Sequence, residues 1–282
     1  MMRSLWTAAS GMRAQQTNVD TIANNLANVN TTGYKSHEAS FKSLLYQNLQ
    51  STSTNNAGEN KPVAAEVGLG SRVSAITSAF KQGPLLASDS PFAVAVEGDG
   101  FFRVRTVDGE IQYTRDGNFI VSPVDGGNML CTADGYPVLD QMGNEIILPK
   151  DYAADDIAIS PDGVIGFPGE DGNVRPLINY LTPDGNEQYE IKLALVQFNN
   201  PAGLHKEGNN NFSVTVASGD PMMEDANPNL KKSKTLQRYT EGSNVDVANE
   251  MVNLIVAQRA YEMNSKAIQA TDEMMQQANN LR

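Results

Sequence analysis

Residues 22–35 read IANNLANVNTTGYK, and how that stretch folds decides the architecture around it. Ile22, Leu26 and Val29 keep the 3–4 spacing of a helix face. Asn24, Asn25 and Asn28 crowd the same turns, although Asn competes with the helix for backbone hydrogen bonds. Toward the N-terminus, Leu5, Met12 and Val19 extend the stripe, with Gln15 the polar intrusion. The pattern predicts an a/d seam of about four heptads. Gly33 is the expected stop, since glycine tolerates the left-handed conformation that ends helices. Phe41, Leu44, Leu45 and Leu49 continue as a second short helix or an extended arm.

An amide donates and accepts without bringing charge. Asn24, Asn25 and Asn28 are therefore candidates for polar contacts that fix the register of closely packed helices. A solvated polar face is the alternative.

The other end of the chain carries a matching pattern. Val247, Leu254, Tyr261, Ile268 and Met275 recur every seven residues, and Met251 joins them. Gln258, Ser265 and Asp272 dilute the second seam position. Ser243 or Asn244 is the expected N-cap, with Asp246 near the positive end of the helix. Two terminal stripes call for partner helices. The expected fold is α+β: N- and C-terminal heptad helices packed as a coiled-coil-like pair, with a central all-β domain. Such a pair is marginal alone and is expected to order when copies assemble.

Between the ends, residues 91–225 contain short β-prone runs punctuated by Asp-Gly, as in VAVEGDGFFRV and ISPDGVIGF. Asp-Gly supplies the positive φ of tight turns, so a compact β-domain is expected there. Residues 1–50 and 241–282 form the expected helical assembly domain. Residues 51–90, beginning with the polar STSTNNAGENKP, form a loop-and-strand connector, and residues 226–240 a second connector.

Composition excludes several functions. The 282-residue chain carries a formal net charge of −12, which argues against nucleic-acid binding. Cys131 is the sole cysteine, and His37 and His205 the only histidines, so no zinc cluster is spelled out. Both histidines are expected in loops and Cys131 in a buried strand. The Asp-Gly segments lack a full calcium-loop ligand set. No phosphate-cradling loop or nucleophile elbow is present. No catalytic, metal or cofactor site is expected. Gly11 and Arg13 interrupt any signal-peptide core in MMRSLWTAASGMRAQQ.

The two ends together are recognisable. SLWTAASGMRAQQTNVDTIANNLANVNTTGYK resembles the N-terminal signature of the flagellar rod and hook family, and SNVDVANEMVNLIVAQRAYEMNSKAIQATDEMM its C-terminal signature. VAVEGDGFFRV and YTRDGNF are similar to its central motifs. RSLW, SLLYQNLQ and VGLGSRV are most like the distal-rod members, whereas STSTNNAGENKPVAAEVGLG departs from their usual wording. The resemblance implies a structural subunit, not an enzyme. It would be exported without a cleaved signal by the flagellar type III apparatus to the basal body in the periplasm. It would assemble there as a helical homopolymer, a hollow shaft carrying motor torque to the hook. Other rod and hook subunits, and ring proteins around the rod, are the implied partners. Proximal rod or hook subunits are the alternatives, and a secreted carbohydrate- or surface-binding protein a more remote one.

On that resemblance, Leu5, Met12, Val19, Ile22, Leu26 and Val29 join Val247, Met251, Leu254, Tyr261, Ile268 and Met275 in the helical core. Asn24, Asn25 and Asn28 make register or subunit contacts, and residues 46–72 stiffen the shaft by touching neighbouring subunits.

Overall fold

The computed structural model describes residues 2–50, 53–54, 60–61, 65–124, 127–150, 154–169, 174–180 and 188–280. The fold is α+β, with a helix near each end and strands between. It divides into two compact units. One comprises residues 1–27, 37–78 and 246–282; the other comprises residues 28–36 and 79–245.

The first unit holds helix α1 (Met2–Ala27) and helix α2 (Val247–Asn280). It also holds a long antiparallel ribbon. His37–Ser43 pairs with Ser71–Ser78, with a bulge at Ser40/Phe41. Tyr46–Gln50 pairs with Ala65–Gly68. Between these stretches the Leu44 amide donates to Gly70 O and the Leu69 amide to Leu45 O, so the ladder barely breaks.

Residues 37–50 are therefore strand, not the continuation of the helical region expected to residue 50; of the two forms foreseen for them, the extended arm is the one adopted. The residues opposite them, rich in Val, Ile and Thr, supply a ladder that outweighs the helical spacing of Phe41, Leu45 and Leu49. Part of the polar stretch 51–62 lies outside the described residues.

α1 also stops before Gly33. The Asn28 carbonyl accepts the Thr31 amide, and its side-chain Oδ1 accepts the Thr31 hydroxyl at 3.1 Å. That side-chain-closed turn competes with further helix. Gly33 does take positive φ, +68°, but in the loop after the turn.

The second unit is built on a six-stranded antiparallel sheet. Its order is His205–Gly208, Asn211–Ser213, Ile111–Thr114, Phe101–Arg105, Leu195–Gln197, Met222–Met223. Because side chains alternate across a strand, Phe101 and Phe102 serve opposite faces. Phe102 and Val104 enter a large aliphatic core with Val94, Leu130, Ile146 and Leu193. Phe101 and Tyr113 enter a second, aromatic core with Phe198 and Phe212. The edge-to-face rings of Tyr113 and Phe198 stand 4.9 Å apart, a favoured geometry.

Asp-Gly pairs at Gly109, Gly135 and Gly163 take the positive φ expected of turns. Gly117 does not; it is required because the Val94 carbonyl presses against it and leaves no room for a Cβ. His37 and His205 open strands rather than lying in loops. Cys131 ends the strand Gly127–Cys131, buried, and burial pushes its thiol up from the ordinary range.

Candidate assembly site

α2 starts two or three residues later than expected, at Val247. The Asp246 carboxylate accepts the Ala248 amide at 3.0 Å and the Asn249 amide at 3.4 Å. A carboxylate satisfies these orphan donors and suits the helix dipole. Asn244, the expected cap, is occupied elsewhere.

α1 and α2 run antiparallel along a seam punctuated by polar contacts. The Ser4 hydroxyl lies 3.5 Å from that of Thr271. A methyl added at Gly11 would stand 2.9 Å from the Asn264 amide nitrogen, so glycine permits the close approach there. Asn25 Nδ2 donates to Glu250 Oε1 at 2.9 Å. The α1 positions are multiples of seven apart, and so are those of α2 in the opposite direction. The inner face of α2 thus includes Glu250, Ala257, Asn264 and Thr271, of which Ala257 and Thr271 are buried.

Leu254, Ile268 and Met275 lie half-buried beside that line. The second seam is not Met251–Gln258–Ser265–Asp272, and Met251 and Val247 are exposed. Small and polar residues hold the true second line, so hydrophobicity alone points to the wrong one. Tyr261 is exposed as well, and lines a shallow pocket with Val19, Gln16 and Gln258.

On α1, Ile22 is buried and Leu5, Met12, Val19 and Leu26 are half-buried. Val29 lies past the helix, half-buried in the second unit. The three asparagines part ways. Asn24 is exposed, Asn28 closes the turn after α1, and Asn25 is 1% exposed. Asn25 accepts the His37 amide at 2.8 Å and donates to the His37 carbonyl at 2.9 Å. One side chain therefore joins the end of α1, the start of the ribbon and the first turn of α2.

A second polar fastening lies wholly within the other unit. Lys35 Nζ meets Glu241 Oε1 at 2.6 Å, and Arg115 Nη1 meets Glu241 Oε2 at 3.5 Å, all three side chains almost fully buried. Lys35 Nζ also donates to Lys81 O, and the Gly83 amide donates to Glu241 Oε1. Asn244 accepts the Ser36 amide at 2.7 Å and donates to Ala79 O and Lys81 O. The Gly33 amide donates to Glu241 O.

Three chain segments, 28–36, 79–83 and 241–244, are thereby tied together. Each leads in sequence to or from the helices and ribbon. Burial draws the Lys35 ammonium below its ordinary range against the opposing pull of Glu241. Burial likewise lowers Arg115, again opposed by Glu241. Arg115 also stacks 4.8 Å above the Phe101 ring.

Lys35, Arg115 and Asn244 stand within the signature stretches, and Asn244 was an expected cap, but no sequence pattern joins them to one another or to Glu241, because Lys35, Arg115 and the 241–244 segment are far apart in the chain. The ensemble is mechanical in character, since its bonds join chain segments. Among the described residues no cluster of His, Cys, Asp and Glu is placed to hold a metal.

Three family models match the chain. Residues 5–35 match the flagella basal body rod protein family, residues 95–167 the flagellar hook protein FlgE/F/G D1 domain, and residues 236–281 the flagellar basal body rod FlgEFG protein C-terminal region. The chain is 42% identical to the flagellar basal-body rod protein FlgG of Borreliella burgdorferi, covering 100% of this chain and 99% of that protein. It is 34% identical to the Bacillus subtilis protein of the same name over 100% of both. It is 33% identical, again over 100% of both, to the flagellar hook-basal body complex protein FlhP of Bacillus subtilis.

Proposed function

The chain belongs to the flagellar basal-body rod protein family, and on that premise we propose that it is a structural subunit of the distal rod whose copies polymerise helically into a torque-bearing shaft. Full-length similarity to rod proteins of this name carries the reading. It is a structural role, with no chemistry to perform.

The geometry supports a division of labour. The terminal helices and the ribbon present surfaces for neighbouring copies. The second unit packs two cores around one sheet, and fastens the segments that lead to the helices. A subunit with two different complementary surfaces associates head to tail, and where rotation does not close a ring the result is a helical filament. Torque must then cross each subunit through its chain connections, which is where Lys35, Glu241 and Asn244 sit.

The ribbon beyond Leu44 exposes Leu45, Tyr46 and Leu49. A two-stranded ribbon alone is marginal in water, so contact with neighbouring subunits would stiffen both ribbon and shaft. Coiled-coil-like packing of α1 on α2 would be completed by helices of adjacent copies. Export through the flagellar type III apparatus to the periplasm, and contacts with other rod and hook subunits, complete the proposal. A specialised rod or hook–basal-body paralogue is the second reading, favoured by the full-length likeness to FlhP.

The test is Leu26→Asp with Leu254→Asp. Assembly should be lost while the cooperative unfolding of the second unit survives. Straight hollow shafts formed normally by that double variant would remove the helical basis of the proposal.

A further inference from the structure

The second unit contains a cavity of about 300 Å³ built on its six-stranded sheet. The inner end is buried: the Arg115 side chain is 2% exposed, with Phe101 and Gln197 buried beside it. The rim is open, with Asp99 exposed and Phe80 and Pro201 half-buried.

Arg115 is the unusual member. Its Nε and Nη1 are buried without a hydrogen-bond partner among the described residues, and the 3.5 Å approach of Nη1 to Glu241 Oε2 is an ion pair only. A guanidinium carries five N–H donors, and a buried donor left unmade is costly. Buried polar groups in folded proteins are nearly always satisfied, so the arrangement calls for an acceptor inside the cavity. Gln197 adds no competing donor, since its Nε2 donates to Glu224 Oε1 and to the Lys231 carbonyl.

The chemistry of that acceptor is constrained. Glu241, Asp99 and Glu224 all act on Arg115, and Lys35 is the neighbouring cation. Two cations thus face three carboxylates among the described residues, so an added anion would meet net repulsion. Asp99 offers a carboxylate at the rim, which only accepts, so a well-fitted ligand also brings a donor. A secondary amide brings both, a carbonyl oxygen and an N–H, with no net charge. Phe80, Phe198 and Pro201 provide apolar wall for a small alkyl group.

We infer that this cavity binds an acetamido group carried by a small neutral molecule. The carbonyl oxygen accepts from the Arg115 guanidinium, the N–H donates to Asp99, and the methyl packs on Phe80 and Phe198. A buried inner end admits a terminal group, not the middle of a chain, so a free acetyl end is required. An N-acetylated sugar and an N-acetylated amino-acid amide both present one, and the volume stands at the lower end of ligand pockets, about 300–1,000 Å³. The site lies within the second unit and needs no assembly to form.

Saturation-transfer NMR on the purified full-length chain tests this with N-acetylglucosamine, N-acetylalanine methylamide, glucose and acetate. The two acetamido compounds should receive saturation, most strongly at the acetyl methyl, and glucose and acetate should not. Competition between the two identifies the source, as the one that displaces the other at lower concentration. Asp99→Ala, at an exposed position, should leave the circular dichroism unchanged and weaken binding about tenfold or more, the loss of one charge-assisted hydrogen bond. Arg115→Lys keeps the charge but loses the forked donors and should weaken binding as much; Asp99→Ala keeps the test decisive should that variant unfold.

Equal transfer to glucose and N-acetylglucosamine overturns the inference, as does displacement by acetate. Absence of transfer to every compound also overturns it and leaves the cavity to water alone. None of these outcomes touches the subunit reading, which rests on full-length similarity.

Discussion

Asn25 on α1 and Glu250 on α2, 225 positions apart, share a 2.9 Å hydrogen bond. The same amide group holds the backbone of His37 from both sides. A side chain that bonds both the N–H and the C=O of one residue behaves like an added strand partner, fixing that residue in position and orientation. The end of α1, the root of the ribbon and the first turn of α2 are thus fixed by three hydrogen bonds from one buried side chain.

Replacing Asn25 tests this directly. Asn25→Ala leaves the Glu250 carboxylate and the His37 amide and carbonyl without this partner. Each lost bond costs about 0.5–1.5 kcal/mol, and more for the one to the charged Glu250. Asn25→Asp keeps an acceptor for the His37 amide but loses both donated bonds and sets a second carboxylate against Glu250. The aspartate should be the worse of the two. Hydrogen exchange at residues 22–27 and 37–40 should accelerate in the order Asn, Ala, Asp, and equal protection in all three would contradict the geometry.

The buried ion cluster allows a second comparison. Glu241 faces two cations, Lys35 and Arg115. Removing one partner of a buried pair costs about 3–5 kcal/mol, because the remaining charge is stranded. Glu241→Ala strands two, and it also unpairs the Gly83 amide. It should therefore destabilise the second unit more than Lys35→Met does. Urea unfolding of the two variants measures the difference; a smaller effect for Glu241→Ala would mean that the cluster does not bind the three segments together.

The sequence carries the terminal helices in strong periodic form, since Leu5, Met12, Val19 and Leu26 recur at seven and half-bury as a stripe. It carries the β-rich centre through Asp-Gly turns, of which Gly109, Gly135 and Gly163 behave as turn chemistry requires. The inner line of α2 was less legible. Glu250, Asn264 and Thr271 do not look apolar, and only the partner helix reveals that they face inward. The ribbon was ambiguous because Phe41, Leu45 and Leu49 also fit a helix; the deciding information lies in residues 65–78. The ion cluster was not legible at all, because its members meet only once the chain has folded.

Gly70 offers a third test. Its φ is +113°, and a Cβ there would collide with the Ser10 hydroxyl. That hydroxyl accepts the Ser71 amide at 3.3 Å, tying α1 to the ribbon. Gly70→Ala meets both backbone strain of about 1–3 kcal/mol and the clash. Ser10→Ala loses that bond and the one its hydroxyl donates to Thr7 O within α1, about 0.5–1.5 kcal/mol each, with no backbone strain. Proteolysis within the ribbon should speed up strongly in the first variant and weakly in the second. The double variant should recover part of the loss, since removing the hydroxyl relieves the clash but not the strain.

The last prediction concerns pH. Burial raises the Asp116 carboxyl above its ordinary value of 3.8, opposed by donation from the Asn118 amide and the Thr32 hydroxyl. The folded state therefore holds the Asp116 proton more tightly than the unfolded chain. Its contribution to stability is complete below the ordinary aspartate range and is lost as pH rises through the raised native value. Asp116→Asn keeps a carbonyl oxygen for both donors, which contact Oδ1 at 3.0 Å, and carries no charge. Relative to the native chain it should gain stability between about pH 4 and pH 7, levelling off once the native carboxyl is fully ionised. Urea midpoints across that range give the measurement. A difference that stays constant with pH would show that the carboxyl titrates normally, and that its burial carries no electrostatic cost.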